Sequence, residues 1–148
     1  MKKNFKTAML TFSIAVIACT VLAQPNKPKP KPVAAATQPT LGGKQLYEKY
    51  CLSCHQPDGE GVPNMNPSLI GAGYVKGDKK KLIRWVLEGT TKKVPIDGNT
   101  YTNNMPSQAY LSDADIATVL TYIRHNFENK YSAVAPAEVK AVRAVIKK

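Results

Sequence analysis

Cys51-Leu52-Ser53-Cys54-His55 is the stretch on which the reading of this chain turns. Two cysteines separated by two residues and followed at once by histidine form the pattern of c-type haem attachment. The spacing has a mechanical reason. On the last turn of a helix, positions three apart share a face, so both thiols reach the two vinyl groups of one porphyrin. The histidine next in line then lies under the iron and offers its proximal nitrogen. Two rival readings of such a cysteine pair are weaker. A zinc site wants a second pair of ligands, and the only other cysteine and histidine are Cys19 and His125. A thioredoxin-like redox pair wants a nearby βαβ pattern, and the flanking sequence shows none.

Upstream, the composition is that of an export leader and a tether. Lys2, Lys3 and Lys6 precede an apolar run over 8–18, and Val21-Leu22-Ala23 offers a cleavage site before Gln24, so residues 1–23 are expected to be a signal peptide. The run is short for a membrane span, which needs about 20 apolar residues. Val16-Ile17-Ala18-Cys19 also resembles a lipoprotein cleavage box, which would place a lipid on Cys19 and the protein at a membrane. A cysteine discarded with the signal is the favoured reading. Either route exports the chain to the periplasm or the outer side of the cytoplasmic membrane. From 24 to 40, Pro25, Pro28, Pro30 and Pro32 alternate with lysines before Ala34-Ala35-Ala36 and Pro39, a linker that cannot bury a core and favours extended backbone.

The whole chain carries a formal charge of +11. Over 41–148, fifteen Lys and Arg stand against ten Asp and Glu, which leaves +5. A moderately basic body suits docking onto an acidic redox protein through electrostatic steering. Export and the lack of a recognition motif argue against nucleic acid as a partner.

Downstream, apolar spacing predicts an all-α body. Leu46, Tyr47 and Tyr50 share a face of a helix expected over 43–53, which delivers the cysteines, and Gly42-Gly43 permits another element to approach its start. Residues 56–77 are rich in Gly, Pro and Asn and read as loop with short helical turns; a loop that long wants something to wrap. Pro67 and Leu69 are candidates for the wall around a porphyrin. A helix over 78–88 is capped by Asp78, ended by Gly89 and striped by Leu82, Ile83, Val86 and Leu87, with Trp85 packing beside the stripe. Asp97-Gly98 signals a short β-hairpin within 94–102. The clearest helix spans 111–127, with Ser112 and Asp115 as a variant capping box and Ile116, Val119, Leu120, Ile123 and Phe127 at helical spacing. His125 near its end reads as a surface or packing histidine. A last helix over 136–146 starts at Pro136 and is expected to bury Val139, Val142, Val145 and Ile146.

Histidine alone leaves iron with an open sixth position, and methionine is its common partner in electron carriers. Met1 and Met9 leave with the signal, so Met65 and Met105 compete. Met65 follows His55 by only ten positions, a tight wrap for reaching the opposite face of the ring. Met105 follows a helix and a hairpin, enough chain to round the porphyrin edge, and Pro106 stiffens its loop. Met105 is the expected sixth ligand. The expected cofactor is one haem c, covalent through Cys51 and Cys54, with His55 and Met105 as its metal ligands.

At this point a family resemblance emerges over 41–148. Gly43 with Tyr47, the haem motif, Pro67-Ser68-Leu69, and the helix from Leu82 to Gly89 are similar to those of class I c-type cytochromes. So are Asp97-Gly98-Asn99-Thr100-Tyr101 leading to Met105-Pro106, the run from Leu111 to Arg124, and the ending Pro136 to Arg143. The nearest subgroup is the monohaem domains that accompany dehydrogenases, nitrite reductases and oxidases. The resemblance implies a small cytochrome c fold, helices wrapped around one covalently bound haem, over 41–148. It implies that the first and last large helices cross with Gly43 approaching Tyr122, and that the Pro67 carbonyl orients His55. It further implies one-electron transfer between redox partners and no catalysis, the protein acting as a monomer or within a complex. Two other roles stand beside it: the electron-accepting subunit of a specific dehydrogenase or reductase, and a haem sensor or peroxidase-like enzyme with a displaceable Met105.

Overall fold

The computed structural model describes residues 39, 41–91, 93 and 95–146. The expected signal over 1–23, Cys19, and the linker over 24–40 apart from Pro39 lie outside the described residues, as do Lys92 and Val94. Among the described residues the order is α1 Gly43–Tyr50, α2 Leu52–His55, α3 Gly73–Lys76 and α4 Lys79–Glu88. There follow β1 Pro95–Ile96, β2 Asn99–Thr100, α5 Asp113–His125 and α6 Pro136–Ile146. The body is therefore mostly helical with a two-stranded hairpin, the small cytochrome c architecture that the resemblance implies. None of these helices is long and apolar enough to cross a membrane.

Local chemistry accounts for the boundaries. The Ser112 hydroxyl opens α5 by accepting from the Asp115 N–H at 3.0 Å and donating to the Asp115 carboxylate at 2.6 Å. Asp78 opens α4 by accepting from the Lys80 N–H at 2.7 Å, and Gly89 ends it at φ 69°. The hairpin pairs antiparallel, with Asp97 (φ 49°) and Gly98 (φ 81°) forming the left-handed turn that Asp-Gly favours.

The core forms where the predicted apolar stripes meet. Leu46 and Tyr47 of α1, Leu82, Ile83, Val86 and Leu87 of α4, and Ile116, Val119, Leu120 and Ile123 of α5 are all buried. Helix α1 crosses α5 at Gly43, where a Cβ would stand 2.7 Å from Tyr122 Cβ and 3.0 Å from Thr118 O. Beyond the crossing, Tyr47, Tyr122 and Phe127 pack with ring centroids 5.0 to 5.8 Å apart. Helix α6 is tied down by Arg143, which donates to the Asp113 carboxylate at 2.7 Å and to the carbonyls of Ala109 and Leu111 at 2.6 and 2.8 Å.

Three details depart from expectation. The helix predicted over 43–53 breaks at Cys51 (φ −122°), so Cys54 and His55 sit on the separate turn α2. Main-chain bonding flanks the break, with Cys51 N–H reaching Tyr47 O and His55 N–H reaching Cys51 O, both at 2.9 Å. Val145 is 66% exposed. Six positions after Val139, it falls about 120° around the helix from the buried stripe. Phe127 lies beyond α5 at φ 55°, and there it turns its ring against Gly59.

Candidate functional site

The bundle surrounds one large cavity whose walls come from distant parts of the chain. Cys51, Cys54 and His55 line it from the break after α1, Pro67 and Leu69 from the long loop, and Leu82 and Val86 from α4. Met105 and Pro106 line it from the segment after the hairpin, and Leu120 and Ile123 from α5. Space unfilled by protein atoms, open solvent at the mouth included, amounts to about 1390 Å³, and its lining is mostly apolar. The predicted loop over 56–77 does wrap this space.

His55 is set by the loop opposite. Its Nδ1 lies 3.0 Å from the Pro67 carbonyl oxygen, which can only accept, so the proton sits on Nδ1 and Nε2 keeps its lone pair. Burial lowers the His55 pKa, while the Pro67 bond works the other way, and the net direction keeps the ring neutral. A neutral, oriented imidazole is the form in which histidine binds metal. Tyr47 secures the same turn by donating its hydroxyl to the Gln56 carbonyl at 2.6 Å.

The two cysteines are free thiols on the cavity wall. Burial, and then the nearby Cys54, pushes the Cys51 thiol up to about 12. That direction is opposite to the lowered pKa that activates the cysteine of a redox pair. Among the described residues no group of three or more His, Cys, Asp and Glu side chains is placed to hold a metal ion. A metal in this cavity must bring further ligands with it, as a porphyrin does. The donor set, the apolar walls and the neutral imidazole fit a haem.

The two methionines part company here. Met105 is partly buried and lines the cavity, whereas Met65 is 46% exposed and is not part of the lining. His125 is exposed, away from the lining. Trp85 lies at the wall, its ring 4.0 Å from that of Tyr74, which also lines the cavity.

Sequence reading passed over two residues that hold the site. Thr90 brackets Met105: its N–H donates to the Met105 carbonyl, and its Oγ1 accepts from the Met105 N–H, both at 2.8 Å. Asn129, buried past α5, donates to the Leu69 and Ile123 carbonyls at 3.0 and 2.9 Å and accepts from the Gly71 N–H at 2.9 Å. It latches the loop wall to the helix. Neither residue belongs to an apolar stripe or a turn signal that would have drawn attention to it.

Comparison with known proteins agrees with the geometry. The sequence model of the cytochrome c family matches residues 41–127. Cytochrome c-552 of Thermus thermophilus is 36% identical over 87 residues, 55% of this chain and 64% of that protein. The fructose dehydrogenase cytochrome subunit of Gluconobacter japonicus is 33% identical over 117 residues, 71% of this chain and 22% of its own length. Cytochrome c-551 of Bacillus subtilis is 26% identical over 85 residues, 57% of this chain and 76% of that protein. This chain thus spans less than two thirds of the cytochrome c-552 it matches. A family match over more than half of the sequence answers the question the cavity raises: the chain belongs to the cytochrome c family, whose prosthetic group is a covalently bound c-type haem.

Proposed function

We propose that this protein is a one-electron carrier and not an enzyme, exported before it is loaded. In this reading Cys51 and Cys54 would hold the haem through thioether bonds, and His55 and Met105 would ligate its iron. One observation carries the proposal: these four side chains, from two separate segments, line the same cavity. When bound, the haem supplies an iron that accepts and returns a single electron. The protein's part is to hold still. Pro67 fixes the imidazole, the end of α4 fixes the methionine segment, and the apolar side chains of α4 and α5 exclude water. Keeping both ligands in place in either oxidation state limits reorganisation and leaves no open position for a substrate.

Exposed Lys76, Lys80, Lys81 and Lys93 offer a basic surface to an acidic redox partner. Lys79 is already engaged with Glu138 at 2.6 Å. A second reading has support in the similarity, over 71% of this chain, to a protein named as the cytochrome subunit of fructose dehydrogenase. In that reading the chain accepts electrons within a specific dehydrogenase or reductase complex. Recovery of a stoichiometric catalytic subunit with the native protein would favour the complex over a free carrier.

The first test is a pyridine haemochrome spectrum with intact mass on exported protein. We expect one haem per chain, linked through two saturated vinyl groups, and a mature N-terminus after Ala23. Colourless, folded protein from a working haem-ligation host would end this reading.

A further inference from the structure

The last carbonyls of a helix have no partners within it. In α4 the segment carrying Met105 supplies partners for two of them. Gln108 N–H donates to Val86 O at 2.8 Å, and the Ser107 hydroxyl donates to Leu87 O at 2.5 Å. At the front of the segment stands the reciprocal pair between Thr90 and Met105, so both main-chain groups of Met105 are bonded to one residue. Gly89 makes the contact feasible. Its φ is 69°, and a Cβ there would meet Met105 O at 2.5 Å and Ser107 N at 2.6 Å. Thr90 itself lines the cavity.

A neutral thioether is a weak donor, so its hold on a metal depends on how little its loop gains by swinging away. We propose that Thr90 is the positioning residue for Met105: its hydroxyl pins the Met105 amide to the end of α4 and so keeps the sulfur in the cavity. The inference rests on Met105 being an axial ligand, and the experiment separates the two claims.

Thr90→Val keeps the shape and the Thr90 N–H bond but leaves the Met105 N–H without its acceptor, whereas Thr90→Ser restores one. Both are compared with wild type and Met105→Leu as haem-loaded, full-length exported protein. The readouts are the red charge-transfer band of sulfur-ligated ferric iron, the rate of carbon monoxide binding to the ferrous form, and global thermal unfolding. In Thr90→Val the sulfur band should fade well below the unfolding temperature, and carbon monoxide should bind about three- to tenfold faster. Thr90→Ser should return both to within about twofold of wild type, as expected if the hydrogen bond alone is at issue. If Thr90→Val yields no holoprotein, Thr90→Ala is read in the same way. A wild-type band and rate in the Val or Ala variant, no rescue by Ser, or changes seen only on global unfolding would each overturn the proposal while leaving Met105 ligation intact. Met105→Leu with an unaltered band would instead overturn the ligand assignment, and the Thr90 role with it.

Discussion

Met65 and Met105 have identical chemistry, and only position distinguishes them. With Met105 on the cavity wall and Met65 46% exposed outside the lining, their substitutions should diverge. Met105→Ala should lower the reduction potential and open the iron, so that the ferrous protein binds carbon monoxide stoichiometrically where the parent binds little. Met65→Ala should leave the visible spectrum unchanged and shift stability by no more than about 0.5 kcal/mol. Spectra and carbon monoxide titrations of the two variants check this, and the reverse ranking would exchange their roles. Counting residues between His55 and each methionine favoured Met105. No count could show that Thr90, fifteen positions away, holds it by both main-chain groups.

At the scale of elements, the α1–α5 crossing depends on a missing side chain. Gly43→Ala puts a methyl 2.7 Å from Tyr122 Cβ and 3.0 Å from a main-chain oxygen, neither of which yields cheaply. We expect a loss of about 1–3 kcal/mol, measured by denaturant unfolding of the holoprotein. The contact between α4 and α6 carries a pH dependence. The Ala135 N–H, and then Lys79, lower the Glu138 pKa below its ordinary value near 4.5. Glu138 therefore stabilises the fold fully above that pH, and the contribution is lost as the pH falls through its folded-state value. The pair is about one-third exposed, which limits its worth to about 1 kcal/mol. In Glu138→Gln the acid side of a melting-temperature profile should fall less steeply, and the two proteins should converge below the carboxylate range. Parallel profiles would refute that assignment. The helices themselves were legible in advance: Ser112, Asp78, Gly89 and Pro136 stand where local chemistry says helices start or stop. The break at Cys51 was not, because a three-residue spacing reads the same along one helix or across a bend.

For the molecule as a whole, the cavity means that the core closes around something the polypeptide does not itself supply. Leu82, Val86, Leu120 and Ile123 belong to the buried core and also line that space. Replacing both Cys51 and Cys54 by Ala should yield chain without covalent haem and without cooperative unfolding, since a domain this small has little other core to fall back on. Intact mass and a calorimetric scan test both halves. The sequence by itself determined the attachment motif, the apolar stripes and most helix ends, because each depends on residues within a turn or two of one another. The approach of Gly43 to Tyr122 and of the Pro67 carbonyl to His55 came into view through family resemblance. Only the tertiary structure decided that Met105 rather than Met65 reaches the cavity, that Thr90 clamps it, and that Asn129 latches the loop wall to α5. Thr90 and Met105 are 15 positions apart and Asn129 and Leu69 are 60 apart, and the partners are largely backbone carbonyls and amides, which every residue possesses and no side-chain pattern marks.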